Sequence, residues 1–293
     1  MHQVSDRFEF IPMPERKPLA LPNKARVAVY LIVNVEVWDF ERAVPRQYFG
    51  APGGAAVVPD VPNWSWHEYG MRVGLWRLME SLEKRGLKAS AAMNGKVIDS
   101  RYEPVARAMR DAGWNFMGHG YHQRPLHLVE DQAAEIQRAF DVISAYSGTP
   151  PLGWLGPGLH ETQETLDLLQ QAGFRFVVDW PLDDHPVSVK AGSGEMVAVP
   201  YSVEMGDLPL MVAHQHESSV WFDRVKDQFD CLYREGATQP RVMSMSIHPY
   251  IMGAPHRLKY FEQALDYVLG HEDVWFTVPE EIYRWHVEGR GQA

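Results

Sequence analysis

The 293-residue chain has one cysteine, Cys231, which excludes an intrachain disulfide and a cysteine-built metal cluster. It lacks an apolar run of membrane-spanning length; the longest, Val27 to Val33, suits a strand. Its first residues, MHQVSDRFEFIPMPERKP, contain no apolar stretch of signal-peptide length, so a cytoplasmic location is expected. Basic charge is also scarce. Twenty-eight Lys and Arg face thirty-eight Asp and Glu, a formal net charge of −10. Such an acidic chain is poorly suited to hold nucleic acid or an anionic membrane, and neither is expected as a partner. There is no internal repeat and no low-complexity tract. No Gly-x-Gly-x-x-Gly follows the first apolar segment, which weakens an open doubly wound nucleotide-binding sheet.

What is present is an alternation of strand-like and helix-like segments. Arg26 to Val35 is apolar throughout, as a strand covered on both faces requires. Further strand-like stretches are Lys88–Asn94, Trp114–Met117, Leu152–Leu155, Phe174–Val178, Met196–Tyr201, Val242–Ile247 and Val274–Thr277. Between them, apolar residues recur at helical spacing, as in Met71, Leu75, Leu78 and Leu82. Trp38 to Glu68 reads as a long loop, rich in Gly, Pro and aromatics, that folds over a pocket or onto a neighbouring subunit. Residues 1–293 are expected to form a single domain after an extended lead over 1–23. The fold class is α/β, and about eight strand-like segments suggest a closed barrel.

Chemistry gathers after the strands. The first ends in Asn34-Val35-Glu36 and the second in Asn94-Gly95. The third runs into Gly118-His119-Gly120-Tyr121-His122, the fourth into Trp154, the fifth into Asp179-Trp180. The last of these ends are Tyr201 and His248-Pro249-Tyr250. In a parallel barrel all these ends share one rim, where active sites are built. Glu36, His119 and His248 are the candidate catalytic residues. Asn94, Trp154, Asp179, Trp180 and Tyr201 are the candidate substrate contacts, although the three aromatics would serve equally as core. His127, His160, His214, His216 and His271 carry no such context and read as surface or packing residues. Cys231, on a helix face beside Leu232, reads as inert.

Several motifs resemble the polysaccharide deacetylase superfamily with NodB homology, in the branch of metal-independent bacterial allantoinases and peptidoglycan-deacetylase-like proteins. They are Lys24-Ala25-Arg26-Val27-Ala28-Val29 leading to Asn34-Val35-Glu36, and Glu68-Tyr69-Gly70-x-Arg72-x-Gly74-x-Trp76-Arg77. Ala112-Gly113-Trp114 before Gly118-His119-Gly120, Gly153-Trp154-Leu155-Gly156-Pro157, and His248-Pro249 with Gly253-x-Pro255-His256-Arg257 complete the series. The resemblance implies a distorted (β/α) barrel of seven or eight strands and hydrolysis of a carbon–nitrogen bond in an amide or cyclic amide. It also implies the departures. Glu36 falls on the first of two usual adjacent acids, and Val37 occupies the second. His119 falls on the first of two usual histidines, and Gln123 stands four residues on, with His122 out of register.

The resulting expectation is a hydrolase of a small cyclic amide or ureide, allantoinase-like. The alternatives are an N-acetyl sugar or peptidoglycan deacetylase, and a catalytically silent binding protein on the same fold. Glu36 would be the base, with a pKa raised by burial. His248 would be the acid, and His119 would orient water, donate to the oxyanion or bind a metal. No cofactor is the expected state. Zinc or another divalent metal is the alternative, held by Glu36, His119 and His122. The expected partners are a small-molecule substrate and further copies of the chain in a homo-oligomer.

Overall fold

The computed structural model describes residues 6–45, 47–55 and 57–290. Nine strands join one sheet: β1 Val27–Val35, β2 Ser90–Met93, β3 Asn115–Gly118, β4 Gly153–Trp154, β5 Phe176–Val177, β6 Val187–Ala191, β7 Gly194–Ala198, β8 Arg241–Ile247 and β9 Val274–Thr277. The order is β6-β7-β5-β4-β3-β2-β1-β8, with β9 also on β1. Every ladder is parallel except β6–β7.

All nine residues of β1 are buried, which explains its unbroken apolar run. One edge of β1 takes β8 along Val27–Val33. The other takes β9 along Val27–Tyr30 and then β2 along Ile32–Val35. Between β8 and β7 the wall is irregular chain instead of a ladder. Val242 N donates to Asp184 O at 2.9 Å, Ser202 N to Ser244 Oγ at 2.6 Å, and Gly206 forms a parallel bridge with Ser246. The fold is thus a distorted (β/α) barrel. Its wall strands are β1 to β5, β7 and β8, with β9 filling in below β2 and β6 folded outside. Among the described residues, no helix is long and apolar enough to cross a membrane.

Three segments differ from the expected pattern. The β6–β7 hairpin turns at Gly192, where φ is +54° and glycine is favoured. Its first strand alternates apolar and polar residues, the weaker signature of a half-covered edge. The second half of the expected Trp38–Glu68 loop is a helix, Val61–Tyr69. Asp60 caps it by accepting from Asn63 N at 3.3 Å, and Pro62 sits in its first turn. The described part of the lead is not free chain either. The Arg7 guanidinium is buried against Asp167 at 2.6 Å, and Lys190 N donates to Arg7 O at 2.6 Å.

The helix continues as a wide π turn over Gly70–Gly74 and an α-helix over Leu75–Glu83. Its two glycines are required by contact. A Cβ on Gly70 would lie 2.6 Å from Tyr250 N, and one on Gly74 would lie 2.0 Å from Pro249 O. The helix therefore seats directly on the backbone that follows β8. Gly74→Ala is expected to destabilise by about 1–3 kcal/mol or more, since backbone has to move. Each kcal/mol should appear as a fall of roughly 2–4 °C in Tm by scanning calorimetry. Gly289→Ala, with nothing within 4 Å of the added carbon, is the control and should leave Tm in place.

Candidate active site

Side chains alternate across a strand, so the inner positions of the barrel fix which residues reach its mouth. Ala28, Tyr30 and Ile32 of β1 pack in the barrel interior with Ala92, Met117, Val197, Val199 and Val242. The odd residues of β1, with Met243, Met245 and Ile247 of β8, face the helices. Continued two residues at a time, the inner series leads to Asn34 and Glu36, Asn94, His119, Tyr201 and His248. The same register sends Trp154 and Asp179 outward, because Leu155 and Val178 are the inner residues of their segments.

Glu36, His119 and His248 are all buried and meet at one carboxylate oxygen. His119 Nε2 lies 3.4 Å and His248 Nε2 3.6 Å from Glu36 Oε1. Gln123 Nε2 donates to the same oxygen at 2.8 Å. Trp38 Nε1 and the Tyr250 hydroxyl donate to Oε2 at 3.0 and 3.1 Å. Asp207 stands behind His248. One of its oxygens meets His248 Nδ1 at 2.7 Å, and the other accepts from His248 N at 2.7 Å.

These partners fix the roles of the ring nitrogens. His119 Nδ1 faces Leu155 O at 2.5 Å, and a carbonyl only accepts, so Nδ1 carries a proton. In the neutral ring Nε2 is then a lone-pair site; it is buried and has no hydrogen-bond partner among the described residues. Together with Glu36 Oε1 it offers two acceptors to one donor, as holding a water molecule requires. His248 is different. Burial pulls its pKa down, but the Asp207 and Glu36 carboxylates outweigh burial and hold it at about 9. It is therefore an imidazolium at neutral pH. Burial pushes Glu36 up, but the charge of His248, with its hydrogen bond, brings it well below the ordinary carboxylate value. The raised pKa expected for Glu36 is thus corrected: the neighbouring imidazolium wins over desolvation.

The three residues open onto a cavity of about 690 Å³. Asn34, Trp38, Gln47, Tyr201, Leu208 and Pro209 are among its walls. Among the described residues, no Lys or Arg lines it. Of the five expected substrate contacts, only Tyr201 lines it. Asn94 sits behind the catalytic loop, accepting from Val37 N at 2.9 Å and donating to His119 O at 2.5 Å. Trp154 is fully buried against Phe174. Asp179 accepts from Gly156 N at 2.7 and 2.8 Å, with its pKa raised well above normal by burial and by Glu161. Trp180 donates to Glu161 at 2.9 Å. Conversely, His127 and His160 do line the cavity, their rings 5.2 Å apart. The long loop supplies Trp38, Pro45 and Gln47 to the cavity, while Tyr48 stays 52% exposed.

The alternative metal set does not come together. His122 is exposed and faces Glu135, with Nδ1 3.2 Å from Oε2. Val37 has no donor atom, and Gln123 turns its amide N–H, not its carbonyl, toward Glu36. His248 is held protonated, and a protonated imidazole has no lone pair for a metal. Among the described residues, no group of three His, Cys, Asp or Glu could hold a metal ion. The donor set therefore does not fit the zinc site of the superfamily.

Sequence reasoning missed Trp38, Gln123, Asp207 and Tyr250. Trp38 lies two residues beyond Glu36, and Tyr250 two beyond His248 on the short helix Pro249–Met252; closeness in sequence to the catalytic residues was the usable signal. Asp207 opens the helical turn after the Gly206–Ser246 bridge, which places it beside His248, and has no local signature.

A family model for polysaccharide deacetylase matches residues 66–177, which include His119 but neither Glu36 nor His248. The peptidoglycan deacetylase of Helicobacter pylori is 25% identical over 272 residues, covering 80% of this chain and 89% of its own. The crystal structure of PuuE allantoinase superposes with a TM-score of 0.81 at 26% identity, covering 93% of this chain and 94% of its own. That of a probable polysaccharide deacetylase from Pseudomonas aeruginosa PAO1 gives 0.81 at 27% identity, covering 94% and 95%. With the motifs in order along the same barrel, these likenesses support the polysaccharide deacetylase superfamily with NodB homology, hydrolases of non-peptide carbon–nitrogen bonds.

Proposed function

We propose that the chain removes an acyl group from the nitrogen of a small N-acyl substrate, as a deacetylase does. The observation that carries this reading is the meeting of His119 and the Asp207-bound His248 at one oxygen of Glu36. The names of the matched family and of the H. pylori relative support it over the ureide expectation. Ring opening of a cyclic ureide is the second reading, favoured by the likeness to PuuE allantoinase over nearly the whole chain. A cavity of about 690 Å³ supports a small-molecule substrate for either.

Both readings use the same proton path. Glu36 Oε1 and His119 Nε2 hold a water molecule, and Glu36 takes one of its protons as the oxygen adds to the carbonyl. The depressed pKa keeps Glu36 ionised in this role throughout neutral pH, at some cost in basicity. Protonated His248 is the positive charge nearest the developing oxyanion. It then gives its proton to the leaving nitrogen as the carbon–nitrogen bond breaks. Glu36 returns a proton to His248 and the cycle closes. An acyl substrate releases acetate and an amine; a ureide releases one ring-opened acid.

The test is a hydrolysis screen of N-acetyl sugars, peptidoglycan fragments and cyclic ureides with the products identified. Acetate release supports the first reading, ring-opened acid the second, and no turnover on any of them the silent binding protein. Turnover is expected to survive dialysis against a strong chelator; loss of activity that zinc restores would contradict the donor-set argument. The pH profile is a separate check. His248 acts protonated, so kcat/KM should fall as pH rises through about 9. Asp207→Asn removes the largest favourable charge and should move that basic limb down by roughly 1–2 pH units. A limb that stays in place would exclude His248 as the acid.

A further inference from the structure

We propose that His67 is a positioning residue for Glu36: its ring, wedged between Trp38 and Tyr250, fixes the two groups that hold the carboxylate's second oxygen. This rests on Glu36 being the base in the reading above. Glu36 Oε2 accepts from Trp38 Nε1 and from the Tyr250 hydroxyl, and these two bonds set which oxygen is left to face His119 and His248. Both donors sit on chain that has left its strand, Trp38 after β1 and Tyr250 after β8. Their rings need another support.

His67 supplies it. Its ring centroid lies 4.5 Å from Trp38 and 4.2 Å from Tyr250. Trp66 closes the stack from outside, 4.9 Å from Tyr250. The backbone of Trp38 is fixed from the same helix, where Trp64 Nε1 donates to Trp38 O at 3.0 Å. His67 itself is 4% exposed, and its Nδ1 meets Asn63 O one turn back at 2.7 Å. That bond helps to hold the ring between its two neighbours. Burial pulls the imidazole down to about 4, so it stays uncharged beside Glu36 at neutral pH. An ordinary core histidine would fill this space without acting on the carboxylate, and the two roles separate by experiment.

The readout is the ionisation of Glu36, followed by carboxyl-13C NMR of glutamate-labelled protein with Glu36→Gln for assignment. The groups facing Glu36 are Trp38 from its own segment, His119 and Gln123 from the loop after β3, His248 and Tyr250 from the chain after β8 with Asp207 behind, and His67 from the helix. Loosening Trp38 and Tyr250 weakens two hydrogen bonds to the charged form. In His67→Ala the Glu36 midpoint should therefore rise by about one pH unit. The acid limb of kcat/KM should rise with it, and kcat should fall about 10–100-fold with KM within about twofold. His67→Phe, which keeps a flat ring, should recover most of both. His67→Leu fills the space without a flat ring or a donor, and decides the matter on the same readout if the alanine variant does not fold. A folded Ala or Leu variant with an unmoved Glu36 midpoint, whatever its Tm, overturns the proposal. An inactive wild type would defeat the functional reading instead, and the Glu36 titration would still decide the role of His67.

Discussion

The alternation of side chains along parallel strands is the constraint on which the site depends. Each strand of the barrel puts successive residues inside and outside, and one register holds from the floor to the rim. Small and branched residues fill the inside at depth, as in Ala28, Ile32, Ala92 and Val242. Further along, the same inner positions carry Asn34 near the end of β1, and Glu36, His119 and His248 as the first residues after β1, β3 and β8. The catalytic groups thus sit directly above an apolar layer. A one-residue slip of β1 against β8 would turn Glu36 out among the helices.

Burying charge at such a place is costly unless each charge is paired and hydrogen-bonded. Glu36 meets this condition through Trp38, Gln123 and Tyr250 as donors and the His248 imidazolium beside them. His248 meets it by standing between two carboxylates, Asp207 and Glu36. The two outcomes are linked. The same His248 charge that brings Glu36 below its ordinary value is itself sustained by Glu36, so the pair favours base and acid in their working protonation states together.

The barrel class and most strands were legible because the apolar runs are long and glycine closes so many helices. Glu36, His119 and His248 were legible because a charged or imidazole side chain directly after a deeply apolar strand is unusual. Nearness to a strand end was used without its parity, and parity separates Tyr201, which follows inner Val199, from Asp179, which follows outer Val177. Trp180 has the inner parity, but its indole is taken up by Glu161. Asn94 has the right parity but its amide is consumed in holding the loop. His127 and His160 reach the cavity from irregular chain, where no period exists to read. The helix at Val61–Tyr69 was hidden by Pro62 and by the aromatics Trp64 and Trp66, which favour other conformations until an aromatic stack gives them a packing face.

Gln123 shows how one position can redirect a site. In the superfamily pattern a second histidine falls there, four residues after His119. A glutamine has a neutral amide with both a donor and an acceptor end. Here the donor end meets Glu36 at 2.8 Å and the acceptor end takes Asn94 Nδ2 at 3.0 Å. The amide orientation is fixed by these two partners, since a carboxylate needs a donor and an amide nitrogen needs an acceptor. The residue that would have pulled a cation toward the rim instead ties the base to the loop that carries His119. Val37, at the other altered position, directs its side chain into the outer core with Val35, away from the cavity. The charge that a cation would supply beside Glu36 is supplied here by His248, held protonated between Asp207 and Glu36.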